Sequence, residues 1–409
     1  MKKLLLLLLL PSFAHCQSLE FKQYFTIEPQ VVEVDTTSSS QFENIKSFQK
    51  KIIQEEKTGS NVALVYKDGN MIYHHIENSN KPGDKNIDGG TIFPVWSMSK
   101  PITIVSVMTL IEQGKIKLDD PVSKYIPSFE SLTCKSPNGS YKCNNVMTVY
   151  HLMTHRSGLR YYDEFGNIRG ITSSAKYEDL KAFADDVSKV VLEFEPGTKY
   201  LYGINQAVLG RIVEVASGMD FYQYLKKSLF DPLGMNQTKF YLTKEEQTKF
   251  QPLFINSENL KGFTYLLNEL TYNENNKAHF GGEGLVSTYT DYSKFCRMLV
   301  NGGVYDGKRI IKQSSIDLMT KKHSEGYTDE DDGSDLLGFY YGFSLFVLEN
   351  PEIDGIGATK GIYGWSGYHN THFWIDPEKK LYGLFMSRAR EFDFDIQKRF
   401  RKEVYSAMN

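Results

Sequence analysis

Residues Ile102 to Ile111 constrain this chain more than any other stretch. On a helical wheel they are apolar all the way round, and a helix of that kind has to be surrounded by protein. Pro101 is tolerated only near a helix start, where a missing N–H costs no hydrogen bond, and Gly114 supplies the stop. The segment that opens the helix is Phe93-Pro94-Val95-Trp96-Ser97-Met98-Ser99-Lys100. Ser97 therefore stands at the mouth of a buried helix, and Lys100, three residues on, projects from the same face. A hydroxyl and an amine held together away from water are what nucleophilic catalysis by a serine–lysine pair requires. The amine takes the hydroxyl proton, and the amides of the helix N-terminus favour the developing anion.

The Ser-x-x-Lys spacing occurs three times, at Ser47/Lys50, Ser97/Lys100 and Ser173/Lys176. Alone, each describes a solvated helix face. Ser47 falls in a charged amphipathic segment and Ser173 in a polar loop after Gly170. Only Ser97 opens a buried helix, so Ser97 is the candidate nucleophile.

With 409 residues, 24% charged and 13% aromatic, the chain has material for one large domain or two and is not a disordered composition. A formal charge of −3 offers neither a basic footprint for nucleic acid nor a polybasic patch for a membrane surface. Residues 1–16 read as an export leader: Lys2-Lys3, leucines from Leu4 to Leu10, then Ala14 and Cys16 before Gln17. Lipidation of Cys16, the only membrane attachment in view, is the rival reading, and His15 disfavours it. Export would place the protein in the periplasm or outside the cell. In an oxidising compartment Cys134 and Cys143, flanking a turn-rich loop, are candidates for a hairpin disulfide. A zinc site is the poorer reading, because no second Cys/His pair stands at ligand spacing, and no metal or cofactor is expected. Cys296 reads as a small buried apolar residue.

Periodicity predicts an amphipathic helix from Gln41 to Glu56 and a hairpin of Val62–Tyr66 with Met71–His74 about Asp68-Gly69. From Ser97 to about Leu318 the chain reads as mostly helical, including Asn205–Ala216, Phe221–Leu229 and Asp291–Leu299. Strand patterns return at Tyr340–Val347, Thr371–Ile375 and Leu381–Ser387, and a helix spans Glu391–Met408. Strands at both ends with helices between predict an α+β fold whose sheet is assembled from the termini. The resulting map is a leader at 1–16 and an extension at 17–40. A sheet subdomain follows at 41–96 plus 336–409, then a helical subdomain at 97–335, with a cleft between the two. The acidic run 329–335 fails the register of an EF-hand and reads as a solvated loop or lid.

Two further segments complete the picture: Glu195-Pro196-Gly197-Thr198-Lys199-Tyr200-Leu201-Tyr202 ahead of a helix, and Gly364-Trp365-Ser366-Gly367-Tyr368 on a strand. With Leu118-Asp119-Asp120-Pro121, His151-Leu152-Met153-Thr154-His155, Pro232-Leu233-Gly234-Met235 and Gly281-Gly282-Glu283-Gly284-Leu285, they resemble in order and spacing the serine β-lactamase-like superfamily. That superfamily includes penicillin-binding proteins, class C β-lactamases and their esterase and peptidase relatives. The resemblance runs from about Val62 to Met386 and implies an antiparallel sheet flanked by terminal helices. It makes Ser97 the acylated nucleophile, Lys100 its proton partner and Tyr202 a phenol that relays protons with the lysine. The backbone N–H groups of Ser97 and Tyr368 would form the oxyanion hole. Trp365, Ser366 and Gly367 would bind substrate, in the place of a strand motif usually written Lys-Thr-Gly.

Two departures follow. The family's asparagine stands two residues after the tyrosine, where this chain has Ile204; Asn205, one later, is the candidate to reach substrate. Trp365 replaces the cation that holds a substrate carboxylate, which resembles an esterase-like branch and weakens recognition of penicillins and D-Ala-D-Ala ends. Among the competing residues, the register after Pro196-Gly197-Thr198 favours Tyr202 over Tyr200, and His155 is expected to be structural. His369 and His372 either line the pocket or face solvent, the latter favoured. The expected activity is exported serine hydrolysis of a small ester or amide, or a peptide, through an acyl-enzyme. The alternatives are β-lactamase, D,D-carboxypeptidase or D-aminopeptidase activity, and, from another class, a cell-wall or peptide binding protein without turnover.

Overall fold

The structure is a computed structural model and describes residues 40–161, 174–265, 270, 272–325 and 336–408. The leader 1–16 with Cys16, nearly all of the 17–40 extension, Ser173 and the acidic run 329–335 lie outside the described residues.

The sheet is built around strand β1 (Asn61–Lys67), whose residues Asn61 to Tyr66 are all buried. A strand covered on both faces reads as a continuous apolar run, which is why Val62-Ala63-Leu64-Val65 shows no alternation. With β2 (Asn70–Glu77), β3 (Phe339–Tyr341), β4 (Phe346–Leu348), β5 (Tyr363–Gly367), β6 (Thr371–Asp376) and β7 (Leu381–Met386) it forms a seven-stranded sheet in the order β3-β4-β5-β6-β7-β1-β2. The pairs are antiparallel throughout. The β1–β7 register, Val62 opposite Met386 through Lys67 opposite Leu381, joins the two ends of the chain. One face is covered by helix α1 (Glu43–Gln54), which buries Ile45, Phe48, Ile52 and Ile53. The C-terminal helix (Phe394–Met408) lies beside α1: Phe48 packs against Phe400 at 6.4 Å and Phe385 of β7 at 6.3 Å. Truncating Ile45 or Ile52 of this layer to Ala costs about 2–5 kcal/mol.

Helix α2 (Ser99–Glu112) buries every residue from Ser99 to Leu110, as its apolar circumference requires. Ser97 lies one step earlier than a helix start would place it, in a single 3-10 turn, Trp96–Met98, that feeds α2. Helix α3 (Asn205–Ser217) packs beside α2 and closes at Gly218.

Two expectations change. The expected strand Tyr340–Val347 is split into β3 and β4, because the chain reverses at Gly342, whose N–H bonds the Leu345 carbonyl, while Ser344 adopts a left-handed φ of 51°. The stretch between Ser97 and Leu318 also carries small sheets that helical periodicity hides. One is the hairpin Leu253–Ser257 with Leu260–Thr264, paired to Ala389–Arg390. Another is the hairpin Thr133–Ser136 with Gly139–Lys142, paired to Val191–Leu192.

The second hairpin is closed by a Cys134–Cys143 disulfide, Cα to Cα 5.1 Å. Cys296 is buried and free, as its apolar neighbours led us to expect. A crosslink of that loop length stabilises by about 2–3 kcal/mol through the unfolded chain. The paired substitution Cys134→Ala with Cys143→Ser is expected to lower unfolding free energy by that amount in denaturant titration, and reductant is then without further effect.

Candidate active site

The turn that presents Ser97 is strained. Trp96 has φ 47°, a left-handed conformation that costs a bulky residue about 1–3 kcal/mol and persists only where its surroundings impose it. The surroundings are a small apolar cluster of Ile92, Leu242, Phe250 and Val286. Tyr368 and His369 also press edge-on against the indole, at 5.5 and 4.9 Å.

Lys100 is fully buried. Its Nζ donates to Ser97 Oγ at 3.1 Å, Tyr161 Oη at 3.0 Å and the Gly282 carbonyl at 2.8 Å. Three N–H hydrogens thus meet three acceptors, the full complement of an ammonium. The Tyr202 ring lies 4.6 Å from the same nitrogen, and its Oη donates to Ser97 Oγ at 2.7 Å. Main chain comes this close to Lys100 because Gly281 has no side chain. A Cβ there would fall 2.5 Å from Thr103 Oγ1 and 2.9 Å from the Gln206 carbonyl. Three residues expected from sequence to meet therefore do meet: Ser97, Lys100 and Tyr202. Tyr200 turns away and stacks on Tyr341 at 4.4 Å, which leaves Tyr202 alone at the serine.

The ring of His155 lies 4.8 Å from that of Tyr202. Burial, and then the Lys100 charge, push its imidazole well below the usual histidine range, so it is neutral and acts as a hydrogen-bonded strut. Nδ1 contacts Asn205 Nδ2 at 2.9 Å and Nε2 contacts Gln206 Nε2 at 3.1 Å. The structural reading of His155 stands.

Asn205 departs from its expected role. Its side chain is buried between His155 and Ser157, because the first residue of α3 points back into the loop before it rather than toward Ser97. Ser366 departs as well: strand alternation turns it to the opposite face, where its Oγ donates to Gln397 Oε1 of the C-terminal helix at 2.7 Å. Trp365, one residue earlier, faces the site, 8% exposed. Its indole lies 5.8 Å from the Tyr202 ring, 6.1 Å from Tyr341 and 6.1 Å from Phe346. Gly367 touches the turn that carries Ser97; a Cβ there would fall 2.3 Å from the Val95 carbonyl. Tyr368 follows directly, which brings its backbone beside the nucleophile turn. His369 and His372 are buried rather than solvent-facing. His372 is covered by Phe385 and Phe400, at 5.3 and 5.5 Å.

Sequence reasoning passed over Tyr161 and Glu283. Burial, then the charges of Glu283 and Tyr202, push the Tyr161 phenol well above its ordinary range. It remains an acceptor and donor, not a phenolate. Glu283 is buried beside Gly282, with neither carboxyl oxygen hydrogen-bonded among the described residues. Nothing in periodicity marks either residue; a carboxylate inside an otherwise glycine-rich, apolar segment was the available sign.

The Beta-lactamase family model matches residues 45–406. An Escherichia coli K12 protein provisionally named a D-alanyl-D-alanine carboxypeptidase is 24% identical over 340 residues, covering 77% of this chain and 74% of that protein. Esterase EstB of Burkholderia gladioli is 28% identical over 210 residues, covering 48% of this chain and 50% of its own. The solved structure of EstCE1, a hydrolase with promiscuous acyltransferase activity, superposes with a TM-score of 0.75 at 22% identity, covering 89% of this chain and 98% of that one.

Asn205→Ala would remove the buried acceptor of the Ser157 hydroxyl and the amide that meets His155 Nδ1, so it is expected to cost about 1–3 kcal/mol of stability in denaturant unfolding. Labelling of Ser97 by a fluorophosphonate, measured on the folded fraction, is expected to change little by comparison.

Proposed function

The chain belongs to the beta-lactamase family, and we propose that within it this protein is an exported serine hydrolase acting on small, uncharged esters. The observation that carries the reading is the position of Ser97 Oγ, held at once by Tyr202 Oη at 2.7 Å and Lys100 Nζ at 3.1 Å. Ser97 Oγ attacks the acyl carbonyl while its proton passes to the Lys100–Tyr202 pair, which returns it to the leaving alcohol. The backbone N–H groups of Ser97 and Tyr368 take the negative charge on the carbonyl oxygen; one such donor is worth on the order of 3 kcal/mol. Water then attacks the acyl-enzyme by the same relay in reverse. We assign the relay to the pair, because the heavy-atom distances suit either member as the base.

Substrate preference is read from Trp365. Where a carboxylate-binding family member would carry a cation, this strand offers an indole among Tyr202, Tyr341 and Phe346, a wall suited to an apolar acyl or alcohol group. Esterase EstB and EstCE1 support an ester as the substrate, and the latter's acyltransferase activity supports an alcohol in place of water as acceptor. The E. coli relative keeps D,D-carboxypeptidase action as the second reading. Export rests on the leader at 1–16.

Ser97→Ala is expected to abolish fluorophosphonate labelling and to reduce ester turnover by about a thousandfold or more, whereas Ser47→Ala and Ser173→Ala leave both intact. On one preparation, short-chain p-nitrophenyl esters are expected to turn over faster than nitrocefin or D-amino-acid amides. Faster opening of nitrocefin would replace the esterase reading with a β-lactamase one. A stable adduct in intact mass over hours, without product, would replace both with a binding protein.

A further inference from the structure

Tyr202 carries the phenol of the relay, yet no regular element holds it. It lies outside helix and strand, three residues before α3 opens at Asn205. A phenol oxygen that has to sit 2.7 Å from Ser97 Oγ needs both its backbone and its ring fixed from elsewhere.

His155 makes contacts on both sides of it. The Leu201 N–H donates to the His155 carbonyl at 2.8 Å, and the Gly203 N–H donates to His155 Nδ1 at 3.4 Å. The residues immediately before and after Tyr202 are therefore tied to one histidine. Between those two bonds the imidazole and phenol rings lie 4.8 Å apart, inclined by 37°. Gly203 comes this near because it has no side chain: a Cβ there would fall 2.4 Å from the Leu159 carbonyl, in the loop that His155 opens. His155 adopts a left-handed φ of 53°, and its carbonyl and its ring both face the Tyr202 segment.

The side-chain bond also fixes the ring proton. A backbone N–H can only donate, as can the Asn205 Nδ2 placed 2.9 Å away, so Nδ1 offers its lone pair and the hydrogen sits on Nε2. Nε2 lies 3.3 Å from Ser344 Oγ, in the reversal between β3 and β4, and 3.1 Å from the Gln206 side-chain amide of α3. The ring is thus anchored to a helix and to the sheet at once, and His155 is 1% exposed.

We propose that His155 is the positioning residue of Tyr202: it holds the chain on both sides of the tyrosine and packs on its ring, which keeps the phenol oxygen at Ser97 Oγ. His155 touches no reacting atom and moves no proton; its effect passes through Tyr202. For its catalytic consequence the proposal rests on the hydrolase reading, whereas the placement of the phenol is read without turnover.

Two substitutions isolate the Nδ1 bond. Asparagine tolerates a left-handed φ and sets an amide oxygen where Nδ1 stands, whereas the longer glutamine carries its amide toward Nε2. In crystal structures, His155→Gln is expected to move Tyr202 Oη out of hydrogen-bond reach of Ser97 Oγ, beyond about 3.2 Å, and His155→Asn to leave it in place. A phenol still on the serine in His155→Gln overturns the proposal whatever the activity. With p-nitrophenyl butyrate, and rates taken per folded molecule, His155→Gln is expected to lower kcat and kcat/KM together by about ten- to a hundredfold with KM unchanged. His155→Asn is expected to recover most of that loss, and an Asn variant no better than the Gln one overturns the proposal. In a Tyr202→Phe background, adding His155→Gln is expected to cost stability as before but no further activity. An equal loss of activity in both backgrounds marks a merely structural histidine and overturns the proposal; if Tyr202→Phe is too slow to read, the Asn and Gln comparison decides. A wild type that neither hydrolyses esters nor takes up a fluorophosphonate refutes the hydrolase reading, and the crystal structures then decide the placement alone. Should His155→Gln fail to fold, His155→Ala takes its place in every series.

Discussion

The site depends on burying one lysine. A charged amine removed from water is tolerated only where acceptors replace its hydration, and the Lys100 nitrogen collects Ser97, Tyr161 and the Gly282 carbonyl from three separate parts of the chain. Much of the surrounding architecture serves that requirement. The apolar circumference of α2 dries the site, and Gly281 admits the main chain that supplies the carbonyl. Tyr202 closes the remaining side with its ring face toward the nitrogen. The serine is thereby held in place by the group that needs it as a ligand.

A second constraint acts on the nucleophile from the sheet side. The left-handed turn at Trp96 is held by contacts from Tyr368 and His369, and Gly367 lets the edge of β5 close on the Val95 carbonyl. The strand thus performs two tasks at once. Alternate residues point Trp365 toward the site and Ser366 toward the C-terminal helix, so the substrate-facing wall and the fixation of the strand are encoded at neighbouring positions.

The fold was legible where one physical rule acted alone. The all-apolar helix, the amphipathic α1 and the β1–β2 hairpin each obey a single periodicity, and the structure has all three. Ser97 and Lys100 were legible because three-residue spacing on a helix start fixes their proximity, and Tyr202 because of its place before α3. Asn205 and Ser366 were misplaced because adjacency in sequence does not decide which face a side chain takes; α3 and β5 turned each of them away. His369 and His372 were misplaced because polarity suggested solvent, whereas Trp96 packs against the first and Phe385 and Phe400 against the second. Tyr161 reaches the lysine along a loop path that only tertiary packing defines.

The pairing of β1 with β7 carries a consequence for how the molecule comes into being. More than 300 residues separate Val62 from its neighbour Met386, so a chain emerging in order cannot seat its first strand until nearly all of it has been made. Until then α2, apolar on every side, has no finished sheet to cover it. Contacts of such long sequence separation are slow to form and expose adhesive surface while they wait. A chain that stays open until its last segment arrives is also one that can be threaded unfolded through a narrow passage before it closes.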